Sequence, residues 1–197
     1  METAQSPPKD VQTGGRHFLR RKNSRSRELI EWFAIIVVAV AAAMLIKAYL
    51  IQAFYIPSES MQDTLQVNDR VFVNKLSYKL HGVHRGDVVV FRRPAGLQGG
   101  LETEDLIKRV IALPGDSVEG RDGIVFVNDK ATSEPYTKGG HTTGDFEKHI
   151  IGPRQVWVMG DNRGNSTDSR IFGPVPQSRI LGRAFVVWWP VSALKLL

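Results

Sequence analysis

Three stretches of this chain carry side chains that could do chemistry. The first is Pro57-Ser58-Glu59-Ser60-Met61, where two serines flank a carboxylate. A serine hydroxyl is a weak nucleophile until a neighbouring base takes its proton. The pattern also reads as a helix cap, which on this segment alone is the favoured reading. The second is LIKRVIALPGD, from Leu106 to Asp116. In a strand, Lys108 shares a face with Leu106, Val110 and Ala112, and Arg109 shares the other with Ile107 and Ile111. One cation then points at an apolar face, unless the strand is an edge with both cations solvated. A desolvated lysine has a lowered pKa and can act as a base. To be substantially neutral at pH 7–8 it must fall by about 2.5–3 from its ordinary value, or about 3.5–4 kcal/mol. The third stretch runs from Met159 to Arg170, MGDNRGNSTDSR, dense in hydrogen-bonding side chains and punctuated by glycine. It reads as a fixed polar network or as a solvated loop; the apolar segments on either side favour the fixed loop.

Other chemistries lack their residues. The sequence has no G-x-S-x-G elbow, no H-E-x-x-H and no phosphate-binding G-x-x-x-x-G-K. Cysteine is absent, which removes disulfides, thiolate zinc sites, iron–sulfur clusters and a cysteine nucleophile. His17, His81, His84, His141 and His149 all lie in polar, loop-like stretches, where a solvated histidine is the simpler reading than a catalytic base.

The elements that must hold these segments begin with charge. The 197 residues carry a formal charge of +6. Seven basic residues precede position 28, namely Lys9, Arg16, Arg20, Arg21, Lys22, Arg25 and Arg27, against Glu2, Asp10 and Glu28; the remainder is nearly neutral. Residues 1–28 read as a disordered basic tail. Trp32 to Ile46 then carries no charge, and from Leu29 to Ile56 only Glu31 and Lys47 interrupt the apolar run. A bilayer core needs about 20 apolar residues as a helix, so residues 29–56 read as a transmembrane anchor ended by Pro57. The rival is a buried core helix, but fifteen residues pass without a polar face. Ala41 and Ala43 offer an A-x-A cleavage pattern, yet the apolar run continues past them, which favours an uncleaved anchor. The basic flank places the N-terminus in the cytoplasm and residues 57–197 outside the cell membrane. Beside a membrane helix, and without interleaved aromatics, the basic cluster suits anionic lipid rather than nucleic acid. Ser60 follows Ile56 by four residues, within roughly 15 Å of it along an extended chain.

From Val71 onward the apolar patterns are short and of period two: VFVNKLSY, DVVVF, LIKRVIAL, DGIVFVND, QVWVMG and GRAFVVWW, separated by Gly, Pro, Asp and Asn. This predicts a mostly β domain over 57–197, an antiparallel sandwich or barrel. Residues 94–104 and 131–150 read as loops.

Taken together, the chain resembles bacterial type I signal peptidases, the leader peptidases. The resemblance covers most of residues 30–190. It is carried by the anchor, PSESM at 57–61, GDVVVFRRP at 86–94, IKRVIALPGD at 107–116 and GDNRGNSTDSRIFGPVP at 160–176. It implies a serine endopeptidase with a Ser/Lys dyad that removes signal peptides outside the membrane. Its nucleophile falls on Ser60 and its general base on Lys108. Ser58 and the Ser60 main-chain N–H would stabilise the oxyanion, Ser166 would orient the lysine amine, and Asp168 and Arg170 would buttress the site with charge pairs that include Arg109. No metal or cofactor is implied. The implied partners are signal-peptide-bearing precursor proteins and membrane lipids; no oligomeric state follows. The short 119–158 region suggests a minimal form without a second transmembrane helix. Glu59 and Gly164 stand where many relatives have Gly and Asp, both flanking the site.

Substrate preference would follow from an extended segment pairing with a strand edge. Residues one and three before the cut then face the same way, and shallow apolar pockets would require both to be small, an A-x-A rule. Ile56, Leu106 and Val110 are candidate walls. Phe185–Trp189 suits either a membrane interface or the core. Two other readings stand beside this one: an inactive membrane-anchored β domain that binds peptides, against which the intact Ser60 and Lys108 speak, and a self-cleaving Ser/Lys repressor-type protease, against which the anchor speaks.

Overall fold

The computed structural model describes residues 24–94, 104–137 and 142–197. The first element is a helix, α1, over Ser24–Tyr49. Within it Arg27–Leu45 has a mean hydropathy of 2.2, and among the described residues this is the one helix long and apolar enough to cross a membrane. The helix starts four residues inside the tail expected to be disordered, where Arg27 pairs with Glu31 one turn on, at 3.3 Å. The rest of that tail, residues 1–23, lies outside the described residues.

The helix also ends earlier than the apolar run. Ile51–Tyr55 is a strand, β1, paired antiparallel along its length with β2, Arg70–Asn74. Hydropathy alone cannot separate helix from strand in a continuous apolar stretch, and the aromatic and β-branched residues of IQAFY fit the pleat.

The main sheet adds β3 (Val88–Arg92), β4 (Asp105–Ala112), β9 (Gln155–Met159), β10 (Val175–Pro176), β11 (Ile180–Trp189) and β12 (Lys195–Leu196). Its order is β1-β2-β11-β3-β4-β9-β10, with β12 on β11. A second sheet has the order β7-β6-β5-β8, from Lys130–Ala131, Ile124–Val127, Ser117–Arg121 and Phe146–Ile150. Every strand pair described is antiparallel. The fold is therefore mostly antiparallel β, as the period-two patterns predict. Helix is confined beyond residue 50 to short pieces, including α2 (Ser77–Leu80) and α3 (Ser169–Phe172).

The second sheet corrects one expectation. Phe146–Ile150 falls in the stretch read as loop, yet it is β8, and His149 stacks on Trp157 with ring centroids 4.8 Å apart. Four of its five residues are exposed, so it shows no buried face for a pattern to reveal. Of the loop expected over 94–104, residues 95–103 lie outside the described residues.

Three apolar clusters form the core. Ile56, Met61 and Leu65 pack with Val71, Val73, Val88, Val90 and Ile107. Val89, Phe91, Leu106, Val110, Val156 and Val158 form a second cluster. Ile111, Ala112, Trp157 and Met159 join Val118, Val125 and Val127, which ties the second sheet to the ends of β4 and β9. Trp188 stacks on Phe72 at 5.2 Å, whereas its neighbour Trp189 is 48% exposed.

Candidate active site

Lys108 and Arg109 lie side by side on β4. This strand is not an edge: β3 pairs on one side and β9 on the other. Both its cations are buried, Lys108 with 3% of its surface exposed and Arg109 with 8%. The alternation argument requires one cation to be enclosed; the interior position encloses both, and they are handled differently. Arg109 has a full set of partners. Its Nε and Nη2 donate to the two carboxylate oxygens of Asp161 at 2.8 and 2.6 Å, Nη1 donates to the Gly86 carbonyl at 2.8 Å, and Nη2 to Thr64 Oγ1 at 3.1 Å. Among the described residues Lys108 has no carboxylate partner at bonding distance. Its Nζ donates to Ser60 Oγ at 2.6 Å and to its neighbour's carbonyl, Ile107 O, at 2.9 Å. Burial pushes the Lys108 amine down to about 8, against an opposing pull from Asp168 and Asp161. An amine in that range is substantially neutral at mildly alkaline pH, the state a base needs.

Ser60 sits in a one-turn 3-10 helix, Glu59–Met61, that follows β1. Ile56 and Met61 on either side are fully buried and anchor the turn in the first core cluster. Ser58 makes no capping hydrogen bond, so the helix-cap alternative for this motif is not the one adopted. Its hydroxyl lies instead 3.3 Å from Ser60 Oγ.

The segment after β9 closes over this turn. Asn162 N–H donates to the Ser60 carbonyl at 3.1 Å, and its Nδ2 donates to the Glu59 carbonyl at 3.2 Å. Gly160 allows the approach: a Cβ there would come within 3.0 Å of both the Ser60 carbonyl oxygen and Ser166 Oγ. Asp168 is fully buried and accepts both Nε and Nη2 of Arg170 at 2.8 Å and the Gly160 N–H at 3.0 Å. Burial alone would push its carboxyl up, but Arg170, the Gly160 N–H and Ser166 outweigh it and hold the group below the ordinary carboxylate range. Asp168 also caps α3, accepting from Arg170 N–H. The loop is thus the fixed network rather than a solvated one.

The seven residues singled out in sequence all converge here, with two differences in pairing. Arg109 pairs with Asp161, not within the Asp168–Arg170 pair. Ser166 lies beside Gly160 and Asp168, and the Lys108 amine bonds to Ser60 and Ile107 rather than to it. Thr64, Asp161 and Asn162 went unassigned in sequence. Asp161 and Asn162 lie inside a quoted motif, but only their contacts across about 50 and 100 residues of chain reveal what they hold. Among the described residues no cluster of His, Asp and Glu could hold a metal ion.

The family model for signal peptidase, peptidase S26, matches residues 29–189. A probable signal peptidase I-2 from Synechocystis is 42% identical over 161 residues, which is 82% of this chain and 73% of the relative. The chain belongs to the signal peptidase S26 family. Signal peptidase IB from Staphylococcus aureus is 34% identical, covering 86% of this chain and 94% of the relative. A solved signal peptidase I structure from Enterococcus faecalis is 30% identical and covers 51% of this chain and 95% of its own, at a TM-score of 0.44.

In this member of the signal peptidase family, a cleft of about 790 Å³ opens beside Ser60. One wall is the chain from Phe54 to Ser60; the other runs from Glu104 to Lys108. Asn165 and Thr167 also line it. Of the three apolar wall candidates, Ile56 and Leu106 line the cleft. Val110 does not; it is fully enclosed in the core with Val89 and Val158.

Proposed function

We propose that this chain is a membrane-anchored serine endopeptidase that removes N-terminal signal peptides from precursor proteins, with Ser60 as nucleophile and neutral Lys108 as general base. The observation that carries the assignment is the 2.6 Å contact between Lys108 Nζ and Ser60 Oγ in a buried setting. The deprotonated amine accepts the Ser60 proton across that contact as Oγ attacks the scissile carbonyl. Lys108 then returns the proton to the departing amine. An acyl-enzyme on Ser60 is left, and water, deprotonated by the same lysine, hydrolyses it. Ser58 Oγ and the Ser60 N–H are the donors suited to the developing oxyanion.

The flanking charges act on this pair through position. Asp161 neutralises Arg109, which lies on the opposite face of β4 from Lys108 and is held there by Thr64 and the Gly86 carbonyl as well; Asp168 neutralises Arg170.

The substrate segment lies extended in the cleft between Phe54–Ser60 and Glu104–Lys108, and small side chains one and three residues before the cut satisfy the apolar walls. The seven basic residues within positions 1–28 support an N-terminus in the cytoplasm and a catalytic unit on the outer face of the cell membrane, by the positive-inside bias. Residues 29–56 serve as the anchoring region and 57–197 as the peptidase domain, although the helix itself stops at Tyr49.

Cleavage of a signal-peptide-bearing precursor by the detergent-solubilised chain, compared with Ser60→Ala, tests the assignment. Processing by wild type alone is expected; equal processing by Ser60→Ala would refute it. A reporter enzyme active only outside the cytoplasm, fused at the C-terminus, is expected to be active, and an expressed but silent fusion would reverse the orientation.

A further inference from the structure

Two buried arginines meet the connection between β7 and β8, and neither contact belongs to the cleft. Arg163, 3% exposed, donates Nη1 and Nη2 to the two carboxylate oxygens of Glu134, each at 2.6 Å. Its Nη1 also donates to Thr143 Oγ1 at 2.6 Å, and its Nε to the Gly160 carbonyl at 3.2 Å. Glu134 in turn accepts the hydroxyl of Tyr136 at 2.8 Å. The Tyr136 ring lies under the second arginine, with Arg109 Cζ 4.1 Å from its centroid. Glu134 and Tyr136 stand in the segment that follows β7, and neither lines the cleft.

We propose that Glu134 is a positioning residue for the Ser60–Lys108 pair, holding the 160–162 segment through Arg163 and steadying Arg109 through Tyr136. The proposal rests on the peptidase reading above. Two routes connect Glu134 to the nucleophile. Through Arg163 it fixes the Gly160 carbonyl, and Gly160–Asn162 is the segment that bears on the Ser60 carbonyl, with Asn162 N–H bonded to it at 3.1 Å. Through Tyr136 it sets the ring against which the Arg109 guanidinium lies while gripping Asp161.

The charge of Glu134 matters for a specific reason. Asp161 also attracts Arg163 electrostatically. With Glu134 neutral, Arg163 is left buried without its counter-ion, and the other carboxylate that attracts it is the one Arg109 already holds. Competition for Asp161 would draw the 160–162 segment away from Ser60. A displacement of a fraction of an ångström between nucleophile and base slows chemistry more than it weakens substrate binding, because most of the cleft lining, Phe54–Ser58 and Glu104–Ile107, makes no contact with the 160–162 segment. The connection between β7 and β8, on this account, is part of the catalytic apparatus rather than an accessory loop.

The test uses the full-length chain in detergent with a signal-peptide-bearing precursor, and counts functional sites with a serine-acylating inhibitor so that turnover is expressed per site. Glu134→Gln is expected to lower kcat per titrated site at least about tenfold while KM stays within about twofold. Glu134→Asp, which keeps the charge, is expected to recover part of the loss. Lys148→Ala removes an exposed ion pair with Asp129 on the same sheet and is expected to leave kcat unchanged. If Glu134→Gln yields no titratable sites, Tyr136→Leu decides: a kcat loss of at least about threefold supports the route through Arg109, and none overturns it. Unchanged kcat per site in Glu134→Gln, even with a lowered melting temperature, would reduce the residue to a structural one and overturn the proposal alone. Absence of cleavage by the wild-type chain would overturn the peptidase reading and this proposal with it.

Discussion

Lys108 Nζ lies 2.6 Å from Ser60 Oγ, and the two groups come from segments 48 residues apart. The other bond of the amine is to its own strand's backbone, Ile107 O, and among the described residues no carboxylate bonds it directly; Asp168 and Asp161 pull on its charge only from a distance, and burial outweighs them. Next to it, Arg109 is locked to Asp161 by two hydrogen bonds. Adjacent residues on one strand thus divide the labour, one cation paired and permanently charged, the other left free to lose its proton.

If the pair acts as a unit, Ser60→Ala and Lys108→Ala each reduce precursor cleavage by about 10⁴-fold or more, and the double variant is little worse than either single. Substitution of all five histidines by alanine leaves turnover near wild type. The measurement is single-turnover cleavage of a purified precursor; a histidine variant that lost activity would return the site to a Ser-His arrangement.

The pH profile follows from the depressed lysine. Lys108 titrates near 8, and only its neutral form accepts the Ser60 proton. The rate constant kcat/KM should rise with pH and level off above about 8. A bound peptide expels water and disfavours the ammonium further, so the rising limb of kcat should lie at lower pH than that of kcat/KM. Rates flat from pH 6 to 10 would contradict the neutral-lysine mechanism.

The same burial sets a stability cost. The folded-state pKa lies below the ordinary 10.5, so between about 8 and 10.5 the unfolded chain binds more protons and stability rises with pH. Below pH 8 the buried ammonium costs the fold about 3 kcal/mol. Lys108→Met should therefore abolish cleavage and yet raise resistance to denaturant at pH 7, by up to about 2–3 kcal/mol. The gain should shrink as pH approaches 10.5. Reversible unfolding of both proteins across pH 6–10 reads this directly, and a destabilised Lys108→Met at pH 7 would show that the Ser60 and Ile107 hydrogen bonds outweigh the desolvation.

Cleft shape sets the substrate rule. Ile56 and Leu106 face the space beside Ser60. A precursor series with Ala, Ser, Val, Leu and Phe placed singly before the cut should be cleaved efficiently only with small residues at positions one and three, and should tolerate all five at position two. Efficient processing with Phe immediately before the cut would rule out shallow pockets. Leu106→Ala should widen the tolerated set by enlarging one wall.

The local signals carried the chemistry a long way. An apolar run without a polar face marks a spanning helix, because hydropathy is a sum over neighbours in sequence. Period-two patterns bounded by Gly and Asp mark the strands of the main sheet for the same reason. The motifs around Ser60, Lys108 and Asp168 named the residues that meet in space. Other features depend on partners distant in sequence. That Ile51–Tyr55 leaves the helical run and becomes a strand is decided by pairing with β2. That β8 exists is decided by pairing with β5, since its own exposed residues show no alternation. The assignment of Asp161 to Arg109, across 52 residues, and of Glu134 to Arg163, across 29, needs the β4 strand, the post-β9 segment and the second sheet to be packed together. So does the state of the base. Residue type alone makes lysine the one of the two cations able to give up a proton, but only the packed interior, which buries the amine against Ser60 and supplies a carboxylate to Arg109, brings its pKa down to where it does so.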